Sequence, residues 1–154
     1  MSAVQYKKAE GSDIPAMARI RAAEWETEAY WNVRISRYLD CELHPQQALT
    51  PRVIYVASEG DSLLGLIAGH LTRRFGCDGE LEWINVIPER RGSGIASELL
   101  RLLAAWFVEQ KTLRICVDVD PANTAAQHFY RRHGAETLKP HWLVWNDIKV
   151  VLDE

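Results

Sequence analysis

Arg90-Arg91-Gly92-Ser93-Gly94-Ile95-Ala96-Ser97 sets two cations, two glycines and several small residues directly before a leucine-rich run, and that order of residue types suits an anion. Glycines at 92 and 94 and small side chains at 93 and 96 let a phosphate approach the backbone without meeting a branched Cβ. Ile95, Leu99, Leu102, Leu103, Trp106 and Phe107 follow at helical spacing, so a helix starts near Gly94. Its first four N–H groups have no partner inside the helix, and the macrodipole adds about half a positive charge there. Arg90 and Arg91 can add charge from the side. A strand, a small-residue loop and a helix in this order make a pyrophosphate cradle, although a turn with only a structural role has the same residues. The stretch lacks the lysine and hydroxyl that end a GxxxxGKS/T loop, and Ser97 stands where GxGxxG requires its third glycine.

Proton-handling groups lie on both sides of this loop. Glu80 and Glu82 are two residues apart in the strand-like "GELEWINVI", hence on one face and roughly 6.5 to 7 Å apart, with Ile84 and Val86 on that face if no bulge intervenes. Exposed strand carboxylates with no role have the same spacing. Tyr130 carries a phenol that is protonated at neutral pH and can donate, or can simply pack at i+4 from Ala126. Asn123 opens a short helical run, where capping is a common use of asparagine.

The elements that must position these groups alternate along the chain. "AVQYKKA" reads as a strand; Asp13 then caps a helix with Ile14, Met17, Ile20 and Ala23 at apolar spacing, and an aromatic helical region spans about Glu24 to Tyr38. Two strands in "RVIYVASEGDSLLGLIAGHLTRR" join through Glu59-Gly60-Asp61. The Glu80 strand, the Gly94 helix, the strand "LRICVDV" and the helix "NTAAQHFYRRHG" follow, with Gly134 suited to a left-handed cap. "HWLVW" and "IKVVL" can pair across Asn146-Asp147. The expected fold class is α+β, a mixed α/β sandwich in a single unit spanning residues 1–154.

Composition bounds the function. A chain of 154 residues, 47% hydrophobic and 25% charged, can bury a core and shows no disorder signature. Its net charge of -3 disfavours nucleic acid as the main partner, since phosphate binding leaves a basic surplus. Cys41, Cys77 and Cys116 are too few and too scattered for a zinc site or a disulfide framework, which fits a reducing cytoplasm. No apolar window suggests export or membrane insertion.

Arg91 to Ala96 matches the Q/R-x-x-G-x-G/A signature of the GNAT superfamily, and Asn123, Ala126, Phe129, Tyr130 and Gly134 match its later NxxAxxFYxxxG pattern. The sequence therefore resembles the acyl-CoA-dependent N-acyltransferases, firmly from about residue 53 to 134. "HGAE" departs from the Gly-Phe usual after the tyrosine, and residues 20–50 and 135–154 carry no acceptor signature. The resemblance implies a central, mostly antiparallel sheet splayed between its fourth and fifth strands and flanked by helices on both faces. It implies acetyl-CoA as cosubstrate, with pantetheine against Ile84 and Val86, pyrophosphate on Arg91, Gly92, Ser93, Gly94 and Ala96, and a further contact from Asn123. Acetyl would pass to a primary amine of a small molecule or protein by direct attack in a ternary complex. Glu80, Glu82 or a water chain would take the amine proton, Tyr130 would protonate the leaving thiolate, and no metal is required. Trp25 and Trp31 would lie in the segment that walls the acceptor site. A non-catalytic acyl-CoA-binding module is the alternative, and a homodimer through exposed C-terminal strands is open.

Overall fold

In the computed structural model, which describes residues 3–42 and 48–153, seven strands form one sheet in the order β1-β2-β3-β4-β5-β7-β6. They are β1 (Gln5–Lys8), β2 (Leu49–Glu59), β3 (Ser62–Leu71), β4 (Gly79–Val86), β5 (Ile115–Asp118), β6 (Glu136–Lys139) and β7 (Trp142–Trp145). Every neighbouring pair is antiparallel except β4 and β5. Helices α1 (Ile14–Ala22), α2 (Glu28–Leu39), α3 (Ile95–Glu109) and α4 (Thr124–Arg132) cover the sheet. The mixed, helix-flanked sheet expected from the sequence is present.

Two apolar cores lie on opposite faces. One joins α1 and α2 to Ile54, Val56, Leu66, Ala68 and Trp83; the other joins α3 and Tyr130 of α4 to Val53, Ala57, Ile67, Leu81 and Val86. β3 is covered on both sides and is buried without interruption from Leu64 to His70. Its near-continuous apolar run replaces alternation for that reason. Gly69 and Gly79 let α3 approach closely: a Cβ at Gly79 would sit 2.5 Å from Phe107 Cε1, and one at Gly69 2.7 Å from Leu103 Cδ1.

Local chemistry explains the element ends. Asp13 does not cap α1 through its side chain; its carboxylate accepts the Glu10 N–H at 2.8 Å and holds a 3₁₀ turn over Gly11–Asp13. Thr27 caps α2 by accepting from the Tyr30 N–H at 3.1 Å, so the aromatic helix starts four residues later than expected. The β2–β3 hairpin turns at Gly60-Asp61, with Gly60 at φ +59°.

The expected C-terminal hairpin is overturned. β7 pairs with β5 and β6, not with the last apolar run, and Ile148–Val151 is a 3₁₀ turn. Ile148 and Val151, three residues apart, both enter the α3 core; strand alternation would have put them on opposite faces.

Candidate active site

β4 and β5 pair only over Gly79↔Ile115, Glu80↔Cys116 and Leu81↔Val117. Asp78 secures this closed end, its Oδ2 accepting the N–H groups of Leu113 at 3.2 Å and Arg114 at 3.1 Å. Beyond Leu81 the strands diverge, and a cleft of about 370 Å³ opens, lined by Ile84, Val86, Arg91, Ala96, Asn123 and Tyr130 among others. A second cleft of about 290 Å³ runs over the small-residue loop, touching Gly92, Gly94 and Arg132. The residues singled out in sequence for cofactor binding, Ser93 excepted, therefore line two clefts that share Val86, Arg91 and Ala96.

The loop takes its shape from glycine. Gly92 and Gly94 have φ of +79° and +88°, and a Cβ on either would meet nothing within 4 Å. The positive φ demands glycine, and the space above the loop is open to a ligand. Ser93 donates its hydroxyl to the Arg90 carbonyl, which stiffens the turn. Arg90 is not free: it grips Glu59 at 3.1 and 3.4 Å. Arg91 donates through Nε to the Val86 carbonyl at 3.1 Å and through a terminal nitrogen to Glu24 at 2.9 Å. Asn123 caps α4 by accepting from the Ala126 N–H at 3.1 Å while also lining the first cleft.

The two glutamates do not share a face with Ile84 and Val86. Opposite Ala68 and Gly69 the β4 register steps from Trp83 to Leu81 and leaves Glu82 as an extra residue. That bulge turns Asn85 toward α1, where it accepts from Arg21 at 2.7 Å, while Leu81, Ile84 and Val86 belong to the α3 side. The condition attached to the strand reading, that no bulge intervene, fails here; bulges beside binding sites re-aim side chains in this way.

Glu80 and Glu82 differ in setting. Glu80 is buried, with Oε1 3.3 Å from Arg74 Nε and 3.5 Å from His70 Nε2. It lines neither cleft described above. His70 is fully buried, and its Nδ1 lies 2.9 Å from the Tyr38 hydroxyl. Glu82 opens into a third cleft, about 540 Å³, bordered by Arg21, Trp25, Trp31, Arg34 and Asp118. Burial first, and the Glu80 charge second, push the Glu82 carboxyl up to about 7. Tyr130 is packed edge-on against Trp145 and Phe129, and burial raises its phenol well above the ordinary value. It stays protonated across the physiological range.

His70, Glu80 and Glu82 bring ligand atoms within 4.8 Å of one another, a set that suits a divalent cation. Arg74 already supplies a cation there, at the same Glu80 oxygen.

Several site residues escaped the sequence reading. Arg21 lies 4.3 Å over the Trp31 ring and joins the first cleft, through Asn85, to the third. It stands seven residues after Ile14 and four after Met17, on the apolar stripe of α1, and a cation at that spacing was the available signal. Trp31, expected to wall the acceptor site, does border the third cleft, but Arg21 already covers a ring face.

The site is built on a mixed sheet whose one parallel pair, β4 and β5, opens beyond three residue pairs, with the glycine loop at the mouth of the opening. Residues 15–135 match the family model described as acetyltransferase (GNAT) family, and the chain belongs to that family. No curated protein matches it by sequence. Among solved structures it is similar to the aminoglycoside N-acetyltransferase AAC(6')-Iy in complex with CoA, at 18% identity and TM-score 0.75, over 90% of this chain and 91% of that one. A GNAT family acetyltransferase from Brucella melitensis in complex with acetyl-CoA gives 19% identity and TM-score 0.66, over 94% and 88%. The PaiA N-acetyltransferase from Thermoplasma acidophilum in complex with coenzyme A gives 16% and 0.65, over 92% and 96%. At these identities the likeness is one of fold.

Proposed function

We propose that this chain transfers the acetyl group of acetyl-CoA to a primary amine by direct attack in a ternary complex. The observation that carries the reading is the pair of joined clefts along the open edge of β4, from Tyr130 to the glycine loop. Their lining suits an acyl-CoA: an open strand edge at Ile84 for pantetheine, the glycine loop and first turn of α3 for pyrophosphate, and the Asn123 side chain beside them. Val86 contributes its N–H side only, because Arg91 occupies its carbonyl.

A primary ammonium must lose a proton before it attacks, which costs roughly 4 to 5 kcal/mol at pH 7 from the pKa gap alone. Glu82 is the better placed of the two carboxylates to take that proton, directly or through water, since it faces a cleft and burial pushes its carboxyl up to about 7, nearer to the amine it must deprotonate. Glu80, held by Arg74 and His70, acts on Glu82 through its charge. The amine nitrogen then bonds to the thioester carbon, the C–S bond breaks, the sulfur takes a proton from Tyr130, and the second proton that the nitrogen sheds as the amide forms returns to the phenolate, directly or through water. Positioning supplies much of the acceleration. The free state of Cys41, Cys77 and Cys116 fits a reducing cytoplasm, and no described helix is long and apolar enough to cross a membrane.

Calorimetric titration with acetyl-CoA, against CoA, ATP and NAD, tests the cofactor. Selective micromolar binding of the CoA species is expected; a preference for ATP or NAD would overturn the reading. Thiol release with amines then separates an enzyme from an acyl-CoA-binding module.

A further inference from the structure

The third cleft carries a charge pattern that amine transfer alone does not explain. Its sheet side holds Glu82, Asp118 and Asp120, but its helix side holds two guanidiniums, Arg21 and Arg34. Arg21 is engaged, donating to Asn85 at 2.7 Å and stacked on Trp31. Arg34 is half-buried, and among the described residues no carboxylate lies within ion-pair distance of it and no acceptor takes its protons. It does lie close enough to Glu82 to favour the ionised carboxylate. A half-buried guanidinium facing a cleft is matched by a planar anion, which it can hold with two parallel hydrogen bonds.

We propose, resting on the acetyl-transfer reading, that the acceptor is an amine that also carries a carboxylate, of the free amino-acid type, and that Arg34 selects it. The ammonium faces Glu82 and Asp118, where it can lose its proton, and the carboxylate faces Arg34. Tyr30 precedes Arg34 by one helical turn and borders the same cleft, as does Trp25, which is 60% exposed. Their rings offer an apolar or aromatic side group a wall. A polycation would instead bring its further charges against Arg21 and Arg34, and like charges there oppose it.

Equilibrium titration of the whole chain with phenylalanine and leucine, their carboxamides, and spermidine tests this before any turnover is assumed. The free acids should bind roughly ten- to hundredfold more tightly than the amides. Arg34→Gln should erase that preference, and Arg34→Lys should restore part of it. An unchanged acetyl-CoA titration would show that the variants keep their fold. Equal affinity for acid and amide, tighter binding of spermidine, no binding of any probe at millimolar concentration, or a preference that survives Arg34→Gln would each overturn the proposal. Acid-selective binding without acetylated product would leave the carboxylate site standing and remove the transfer reading.

Discussion

Glu82 is the residue whose ionisation couples site chemistry to stability. Folded, it holds its proton up to about pH 7, whereas a free carboxyl releases it near 4.5. The folded state therefore binds more protons between those values, and stability falls as pH rises through that window. Glu82→Gln removes the charge that burial disfavours. Urea unfolding should find the variant more stable than the parent by on the order of 3 kcal/mol at pH 8, with the difference vanishing near pH 4. In the same variant kcat/KM should fall by about a hundredfold or more and lose the rise toward pH 7 that the parent shows; an unchanged profile would exclude Glu82 as the base. Tyr130→Phe should lower kcat while leaving acetyl-CoA affinity within a few fold, since the phenol serves the leaving sulfur and the ring keeps its packing against Trp145.

At the scale of elements, the glycine loop and the close seat of α3 behave differently on substitution. A side chain at Gly94 would meet open space, so Gly94→Val incurs only the left-handed backbone strain of roughly 1 to 2 kcal/mol. It should stay folded and lose acetyl-CoA binding by calorimetry. A Cβ at Gly79 would drive into Phe107 and Ile115. Gly79→Ala should cost about 1 to 3 kcal/mol in urea unfolding through overpacking. α3 and α4 were legible because their apolar spacing, the Asn123 cap and Gly134 agree with one another. The last apolar run was not, because "IKVVL" suits a strand locally and only contact with α3 turns it into a 3₁₀ element.

Across the whole molecule the sheet is two halves, β1 to β4 and β5 to β6, joined by three residue pairs and opened beyond them. Asp78 ties the closed end to Leu113 and Arg114. Asp78→Ala should lower stability by about 1 to 2 kcal/mol and weaken acetyl-CoA binding together, because the splay begins three residues away. Loss of stability with unchanged affinity would show that the seam does not set the cleft.

The sequence by itself determined the order of elements from β1 to α4, the glycine loop, the Asn123 cap and the family resemblance, because each depends on residues close together in the chain. Only the tertiary structure decided which way the acidic strand faces. One extra residue at Glu82 moves its neighbours to the other face, and that shift depends on pairing with β3, fifteen or so residues away. The partners of Arg21, His70 and Glu80, and the place of Arg34 in the third cleft, were hidden for the same reason: burial and charge pairing act between residues that the chain brings together only when folded.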